Sequence, residues 1–163
     1  MVTAAIVAAM TDILPAGLPE DVETIRDLFR EYAASLPVDL EFQGFEAELA
    51  SLPGRYAPPT GRLLLAWRET VAVGCIALRK LDRTSCEMKR LYVRPEARRE
   101  KLGRRLVERL CDEARTAGYA RMCLDTLPTM SSAQQLYESL GFRSIAAYVF
   151  NPVPGSRFLA VDL

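Results

Sequence analysis

Three short apolar segments in the middle of the chain constrain its fold more than any other feature. Residues 62–68, 71–80 and 86–93 each have the length and apolar content of a strand, and only tight turns at Glu69-Thr70 and 82–85 separate them. Connections this short can join only antiparallel neighbours, because a parallel pair needs a crossover of about a dozen residues or more. The sequence therefore predicts an antiparallel meander at the centre of the fold.

Helical patterns lie on both sides of this meander. Apolar residues recur at helical spacing over 19–36 and 102–117, and shorter helices are predicted over 45–52 and 131–140. Further strands are predicted over 11–15, 122–126, 142–150 and 158–163. This order predicts an α/β (α+β) fold, a mixed and mostly antiparallel sheet that is covered by helices on both faces.

Length and charge limit the organisation and the partners. A chain of 163 residues without an internal repeat fits one domain, residues 1–163, with 1–10 as an apolar extension or alternative start. The 21 basic and 21 acidic residues balance, so the whole molecule has no electrostatic reason to bind nucleic acid or a membrane. The apolar run 4–10 is too short to cross a bilayer and no basic residue precedes Arg26, so we expect a cytoplasmic protein.

The chain has no histidine, and this excludes several kinds of catalysis. Serine and cysteine nucleophiles that depend on histidine are ruled out. The cysteines, Cys75, Cys86, Cys111 and Cys123, have no CxxC spacing, so we expect no metal site and interpret them as buried free thiols. Chemistry must therefore come from carboxylates, tyrosine, backbone dipoles and a bound cofactor.

A basic segment links the meander to the next helix. Its cations are Arg98, Arg99, Lys101, Arg104 and Arg105, and Gly103 permits close backbone approach. Cations are unfavourable at a helix N-terminus, whereas free amides and the helix dipole attract anions there. A diphosphate explains this placement. The alternatives are a solvated basic helix start or a nucleic-acid contact, and zero net charge argues against the latter.

The last strand of the meander changes phase. Its apolar residues occupy even positions at Cys86 and Met88 and odd positions at Leu91 and Val93. A β-bulge around 89–91 would absorb this slip, bend the strand and free backbone groups from the ladder. The alternative is an ordinary strand that is buried on both faces.

These segments together resemble the GNAT superfamily of N-acetyltransferases. The stretch 98–103 is similar to the family's Arg/Gln-x-x-Gly-x-Gly/Ala motif, with Lys101 at its first glycine, and 133–142 resembles AxxLYxxxGF. The resemblance is most specific over 87–142. It implies acetyl-CoA as cosubstrate and a splayed central strand pair that admits the pantetheine arm. The cofactor-binding residues that it implies are Leu91, Tyr92, Val93, Arg98, Arg99, Glu100, Lys101, Leu102, Gly103, Arg104, Arg105 and Ala133.

The resemblance also assigns catalytic roles. Tyr137 matches the tyrosine that faces the cofactor sulfur and is the predicted general acid, whereas packing in the core with a satisfied hydroxyl is the alternative. Glu87 is the candidate base, acting through water on an amine whose pKa is ordinarily about 10.4; a surface ion pair with Lys89 is the alternative. Met130 stands where the family often has asparagine.

The acceptor is predicted only as a small-molecule or peptide amine. The segments that form the acceptor pocket in the family carry Asp39, Glu41, Phe42, Phe45 and Tyr56, and later Tyr148, Phe150 and Asn151. Carboxylates beside aromatics would suit a cationic amine. A CoA-binding module without catalysis is the rival hypothesis, favoured by Lys101 and Met130. Pairing of terminal strands, as in related folds, would give a homodimer.

Overall fold

The computed structural model describes residues 10–163, so the predicted apolar extension lies outside the described residues except for Met10. The strands are β1 (Thr11–Pro15), β2 (Arg62–Arg68), β3 (Val71–Lys80), β4 (Ser85–Val93), β5 (Arg121–Thr126), β6 (Arg143–Ser144) and β7 (Arg157–Asp162). The α-helices are α1 (Val22–Ala34), α2 (Phe45–Ser51), α3 (Leu102–Thr116) and α4 (Ser131–Ser139). Short 3₁₀ segments cover Glu41–Gln43, Gly54–Tyr56 and Pro95–Glu100.

The strands form one seven-stranded sheet in the order β1-β2-β3-β4-β5-β7-β6. Only β4 and β5 run parallel, and every other neighbouring pair is antiparallel. The predicted meander is confirmed as β2-β3-β4. The mixed, mostly antiparallel sheet is therefore confirmed as well.

Each face of the sheet has its own hydrophobic core. One core joins the sheet to α3 and α4 and includes Met88, Leu106 and Tyr137. The other joins it to α1 and α2 and includes Phe29 and Phe45. Burial on both faces explains why β2 and β3 are apolar except near their ends.

The predicted strand over 142–150 is wrong for most of its length. Only Arg143–Ser144 pairs with β7, and the chain from 145 to 156 has no further strand. Side chains of this segment instead form tertiary hydrogen bonds, from Tyr148 to Glu87 and from Asn151 to Asp125. These contacts draw the segment toward β4 and β5, so the strand pattern in its sequence is not used in a ladder.

The predicted β-bulge in β4 is confirmed. Lys89 lies opposite Ala77 and Tyr92 opposite Cys75, so two residues of β4, Arg90 and Leu91, face one residue of β3. Arg90 takes a left-handed conformation with φ of 61°. The extra residue changes which face of the sheet each side chain occupies, as the phase slip predicts.

The splayed central strand pair is also confirmed. The parallel pairing of β4 and β5 covers only Ser85–Glu87 against Arg121–Cys123. Both strands continue beyond this point, to Val93 and Thr126, without pairing to each other. The gap between them leaves one edge of β4 open at the bulge.

Candidate active site

A surface groove leads from the start of α3 to the gap between β4 and β5. The part with the larger volume, about 520 Å³, reaches the N-terminus of α4. A second part of about 420 Å³ continues along the start of α3. Arg98, Gly103 and Leu136 line both parts, so the two are continuous. Predicted cofactor residues lining the groove are Leu91, Tyr92, Val93, Arg98, Lys101, Gly103, Arg104 and Ala133.

The N-terminus of α3 presents free amides to this groove. The helix begins at Leu102. The first hydrogen bond of its helical pattern runs from the Arg105 amide to the Lys101 carbonyl at 3.2 Å. Lys101 has φ of 53° and ψ of 31°, the left-handed conformation that glycine adopts most easily. Lysine at the family's glycine position therefore keeps the conformation that the turn needs.

The cations of the basic segment do not all face the groove. Arg98 does, with Nε donating to the Val93 carbonyl at 2.9 Å. Arg105 does not line the groove, and its Nη2 donates to the Thr11 carbonyl of β1 at 2.7 Å, so its contact with a cofactor stays a prediction. Glu100 pairs with Arg68 at 2.6 Å, and Leu102 is fully buried in the core. The Leu102 side chain is therefore out of reach of a ligand, the Glu100 carboxylate is paired with Arg68, and Arg99 is exposed.

A small inner cavity of about 40 Å³ occupies the strand gap. It shares Tyr32, Leu91 and Met130 with the groove, so the two adjoin. Tyr137 of α4 lines the cavity and is almost fully buried. Burial raises the pKa of its hydroxyl, so the hydroxyl keeps its proton at neutral pH.

Two hydroxyl groups at the cavity differ from ordinary core hydroxyls. Within residues 10–163, the Tyr137 hydroxyl makes no hydrogen bond to another residue, so the alternative of a satisfied core tyrosine does not describe it. Thr126 Oγ1 is buried, lines the cavity, and has no hydrogen-bond partner among the described residues. Buried polar atoms normally have partners, so Thr126 Oγ1 is available to a ligand. The Tyr137 side chain lines the cavity, and its hydroxyl is available there as well.

Glu87 lies on β4 before the bulge and is fully buried. Its Oε1 accepts from Arg79 Nε at 2.7 Å and its Oε2 from Tyr148 Oη at 2.7 Å. The alternative of a surface pair with Lys89 is wrong, since Lys89 pairs with Asp125. Neither Glu87 nor Tyr148 belongs to the lining of the inner cavity.

The predicted aromatic and acidic acceptor pocket is corrected by the structure. Phe45 and Tyr56 are buried in the core, and Phe45 packs 5.1 Å from the Arg90 guanidinium. Asp39 and Glu41 lie on the surface, where Asp39 accepts from the Glu41 amide. These four residues therefore do not form a cage for a cationic amine.

Other polar residues, which the sequence analysis did not assign to the site, line the inner cavity. They are Gln43, Lys89, Arg90, Asp125 and Thr126. Asn151, which the sequence analysis did place in the acceptor pocket, lines the cavity with them. Two signals were present in the sequence: consecutive cations at the phase slip, and one carboxylate inside the apolar strand 122–126. Among the described residues no cluster of metal-binding side chains is found. No helix over 10–163 is long and apolar enough to span a membrane.

Comparison with known proteins identifies this arrangement. Residues 23–142 match the model of the Acetyltransferase (GNAT) family. An uncharacterized N-acetyltransferase of Schizosaccharomyces pombe is 40% identical over 148 residues, covering 90% of this chain and 91% of its own. An acetyltransferase crystal structure from Streptococcus agalactiae superposes with a TM-score of 0.76 at 25% identity, over 94% of this chain and 98% of that one.

A further structure shows the same fold with its cofactor. An acetyltransferase from Salmonella typhimurium, solved with acetyl-CoA, has a TM-score of 0.67 at 22% identity and covers 93% of each chain. The splayed sheet and the matched family model define a class: this chain belongs to the GNAT family of acetyltransferases. More closely, it is an N-acetyltransferase, as its curated relatives are named.

Proposed function

We propose that this chain transfers the acetyl group of acetyl-CoA to a primary amine, by direct attack of the amine on the thioester. The observation that carries the proposal is the continuity of the basic groove with the cavity between β4 and β5. The Arg98 side chain and the α3 N-terminus lie along the groove, and Tyr137 and Leu91 line the cavity. A ligand with phosphates at one end and a reactive group at the other fits this arrangement.

The residues present fit acetyl-CoA. Arg98, Lys101 and the amides at the start of α3 would hold the diphosphate, because they combine positive charge with free donors. A Cβ at Gly103 would meet only the Leu136 side chain at 3.6 Å, so the backbone there is open to a ligand. The open edge of β4 at Leu91 and Val93 would pair with the pantetheine amides.

The chain's own groups then supply the proton transfers and the charge stabilisation. When bound, acetyl-CoA would provide an activated acetyl thioester. The amide of Leu91 or Tyr92 is the proposed donor to the thioester carbonyl oxygen. Tyr137, protonated and without a partner among the described residues, is the proposed acid for the departing sulfur. Glu87 is the proposed base, and a proton taken up by the Tyr148 hydroxyl can pass to it along their hydrogen bond.

The rival hypothesis, a CoA-binding module without catalysis, is not favoured. It rested on Lys101 and Met130 as departures from the family pattern. Lys101 keeps the left-handed conformation of a glycine, and Met130 lines both the groove and the inner cavity. Neither substitution closes the site.

The proposed function predicts acetyl-CoA binding and amine-dependent thiol release. We expect saturating acetyl-CoA to raise the melting temperature by about 5–10 °C, since a ligand at about 100 times its Kd adds about 2.7 kcal/mol. S-acetylpantetheine, which lacks the diphosphate, is the control and should give a much smaller shift. Absence of both a thermal shift and thiol release across an amine panel would contradict the proposal.

Substitution of Gly103 tests the groove separately from the fold. We expect Gly103→Ala to leave the melting temperature of the free protein unchanged or slightly higher, because alanine favours a helix by up to about 1 kcal/mol over glycine. The Kd for acetyl-CoA, measured by calorimetry, should change little in Gly103→Ala, because the family pattern accepts alanine at this position and the added methyl meets only the Leu136 side chain at 3.6 Å. Gly103→Glu should raise this Kd by about tenfold or more, because its carboxylate would lie in the groove against the diphosphate. Unchanged affinity in Gly103→Glu would place the diphosphate elsewhere.

A further inference from the structure

We propose that the amine acceptor carries a carboxylate, and that Lys89 and Arg90 bind this carboxylate at the inner cavity. The inference rests on the proposed function, because it names the acceptor class of the same site. It depends on three observations: the placement of two cations by the bulge, the position of their counter-ions, and the incomplete hydrogen bonding of Lys89.

The bulge places two consecutive cations on one side of the sheet. In a regular strand Lys89 and Arg90 would point to opposite faces. Here both contact the same atom, Gln43 Oε1, with Arg90 Nη1 at 2.8 Å and Lys89 Nζ at 3.3 Å. Both side chains are buried, so their mutual repulsion is poorly screened. Such a pair of buried cations is unfavourable unless an anion lies nearby.

The counter-ion of Arg90 does not face the cavity. Glu48 binds Arg90 at 2.9 Å through Nε and at 3.2 Å through Nη2, and it also accepts from the Tyr56 hydroxyl at 2.7 Å. Glu48 is absent from the cavity lining, whereas Arg90 and Lys89 are part of it. Among the described residues, the charged side chains that line the cavity are Lys89, Arg90 and Asp125, and Glu48 neutralises Arg90 from outside the lining. Lys89, whose contact with Asp125 is 3.5 Å long, is the cation with the weaker partner.

The hydrogen-bonding capacity of the Lys89 ammonium group is not fully used. Its side chain is 6% exposed, and its two polar contacts, to Gln43 at 3.3 Å and to Asp125 at 3.5 Å, are longer than an ordinary N–H···O bond. An ammonium group has three donors, and burial lowers the pKa of Lys89 although the nearby Asp125 carboxylate opposes this shift. Asp125 Oδ2 also accepts from Asn151 Nδ2 at 3.0 Å, so the two oxygens of Asp125 are divided between Lys89 and Asn151. A ligand carboxylate would complete the hydrogen bonding of Lys89.

The same geometry disfavours an acceptor whose only charge is positive. A diamine or polyamine would bring further positive charge against Lys89 and Arg90, with Asp125 as the single anion in the lining. An amino acid places its carboxylate within a few bonds of its amine. Its carboxylate can therefore contact the cations while its nitrogen faces the thioester position near Leu91 and Tyr137.

Matched substrates test the proposal on the unmodified protein. Each amino acid of a panel is compared with its carboxamide and with the amine that lacks the group, and rates are expressed per unprotonated amine. We expect kcat/KM to be about tenfold or more higher for the carboxylate member of the preferred set. Equal or better turnover of the carboxamide or the simple amine would overturn the proposal and leave the proposed function standing, whereas no acetylation of any amine would defeat both.

A lysine variant locates the carboxylate site. We expect Lys89→Met to raise KM for the preferred carboxylate substrate by about tenfold or more and to remove its advantage over the carboxamide, with the acetyl-CoA thermal shift kept. Lys80→Met, at an exposed lysine of β3, is the matched control and should behave as wild type. If Lys89→Met does not fold, Lys89→Arg replaces it and should retain the preference. A folded Lys89→Met that still prefers the carboxylate would contradict the assignment.

Discussion

Replacing Tyr137 with phenylalanine is expected to lower kcat by about 100-fold or more and to leave the Kd for acetyl-CoA within about twofold. Acid–base groups typically contribute about 10²–10⁴-fold to a rate. The ring of Tyr137 packs 5.7 Å from that of Phe142, and phenylalanine preserves this packing. The hydroxyl makes no hydrogen bond within residues 10–163, so its removal leaves no described group unsatisfied.

Another buried tyrosine provides the control for this experiment. Tyr119 belongs to the same core, but its hydroxyl donates to the Thr60 carbonyl at 2.6 Å, away from the cavity. We expect Tyr119→Phe to cost about 1 kcal/mol of unfolding free energy and to leave kcat unchanged. Stopped-flow or steady-state thiol release and calorimetry with acetyl-CoA provide the readouts. Wild-type turnover by Tyr137→Phe would remove this tyrosine from the mechanism.

The pH dependence of kcat gives a second test of Tyr137 as the general acid. Because burial raises the pKa of Tyr137, its acid form is fully present at neutral pH and is lost only as pH rises through the raised value. Deprotonation of Tyr137 should therefore not lower the wild-type kcat between neutral and moderately alkaline pH. The kcat of Tyr137→Phe should be low over this whole pH range and not only at its alkaline end.

Local sequence patterns were sufficient to predict the scaffold, the bulge in β4 and the position of the groove beside α3. The bulge was visible as a phase slip between Met88 and Leu91, because alternation along a strand has a period of two residues. The groove was visible as cations and a glycine between a strand and a helix. Both features depend on neighbours in the chain, and so a pattern of about ten residues was enough to locate them.

The acceptor side could not be predicted in the same way. Lys89 and Asp125 meet across the strand gap, 36 positions apart in the chain, and Tyr148 reaches Glu87 over 61 positions. No local pattern encodes such contacts. Phe45 and Tyr56 looked like pocket aromatics because their segments form the pocket in the family, yet they are core residues. Their burial depends on how α2 packs against the sheet.

Replacing Arg90 with methionine is expected to destabilise the free protein by about 3–5 kcal/mol. Methionine preserves much of the side-chain volume, but Glu48 then loses its ion pair in a site where its side chain is 12% exposed. Removing one partner of a buried pair is costly mainly because the other charge is left uncompensated. Arg115→Met, which breaks an exposed pair with Asp112 on α3, is the control and should change stability little.

A double substitution separates the contribution of the ion pair to the free energy of unfolding from the contribution of the bulge. If the uncompensated Glu48 charge causes the loss, Arg90→Met combined with Glu48→Gln should recover a large part of it in urea unfolding, since the remaining amide can still accept from the Tyr56 hydroxyl. The left-handed conformation at residue 90 is strained for arginine and methionine alike, so it does not contribute to the difference. A loss below about 1 kcal/mol in Arg90→Met would mean that packing around the bulge, rather than the buried ion pair, holds the two cations in place.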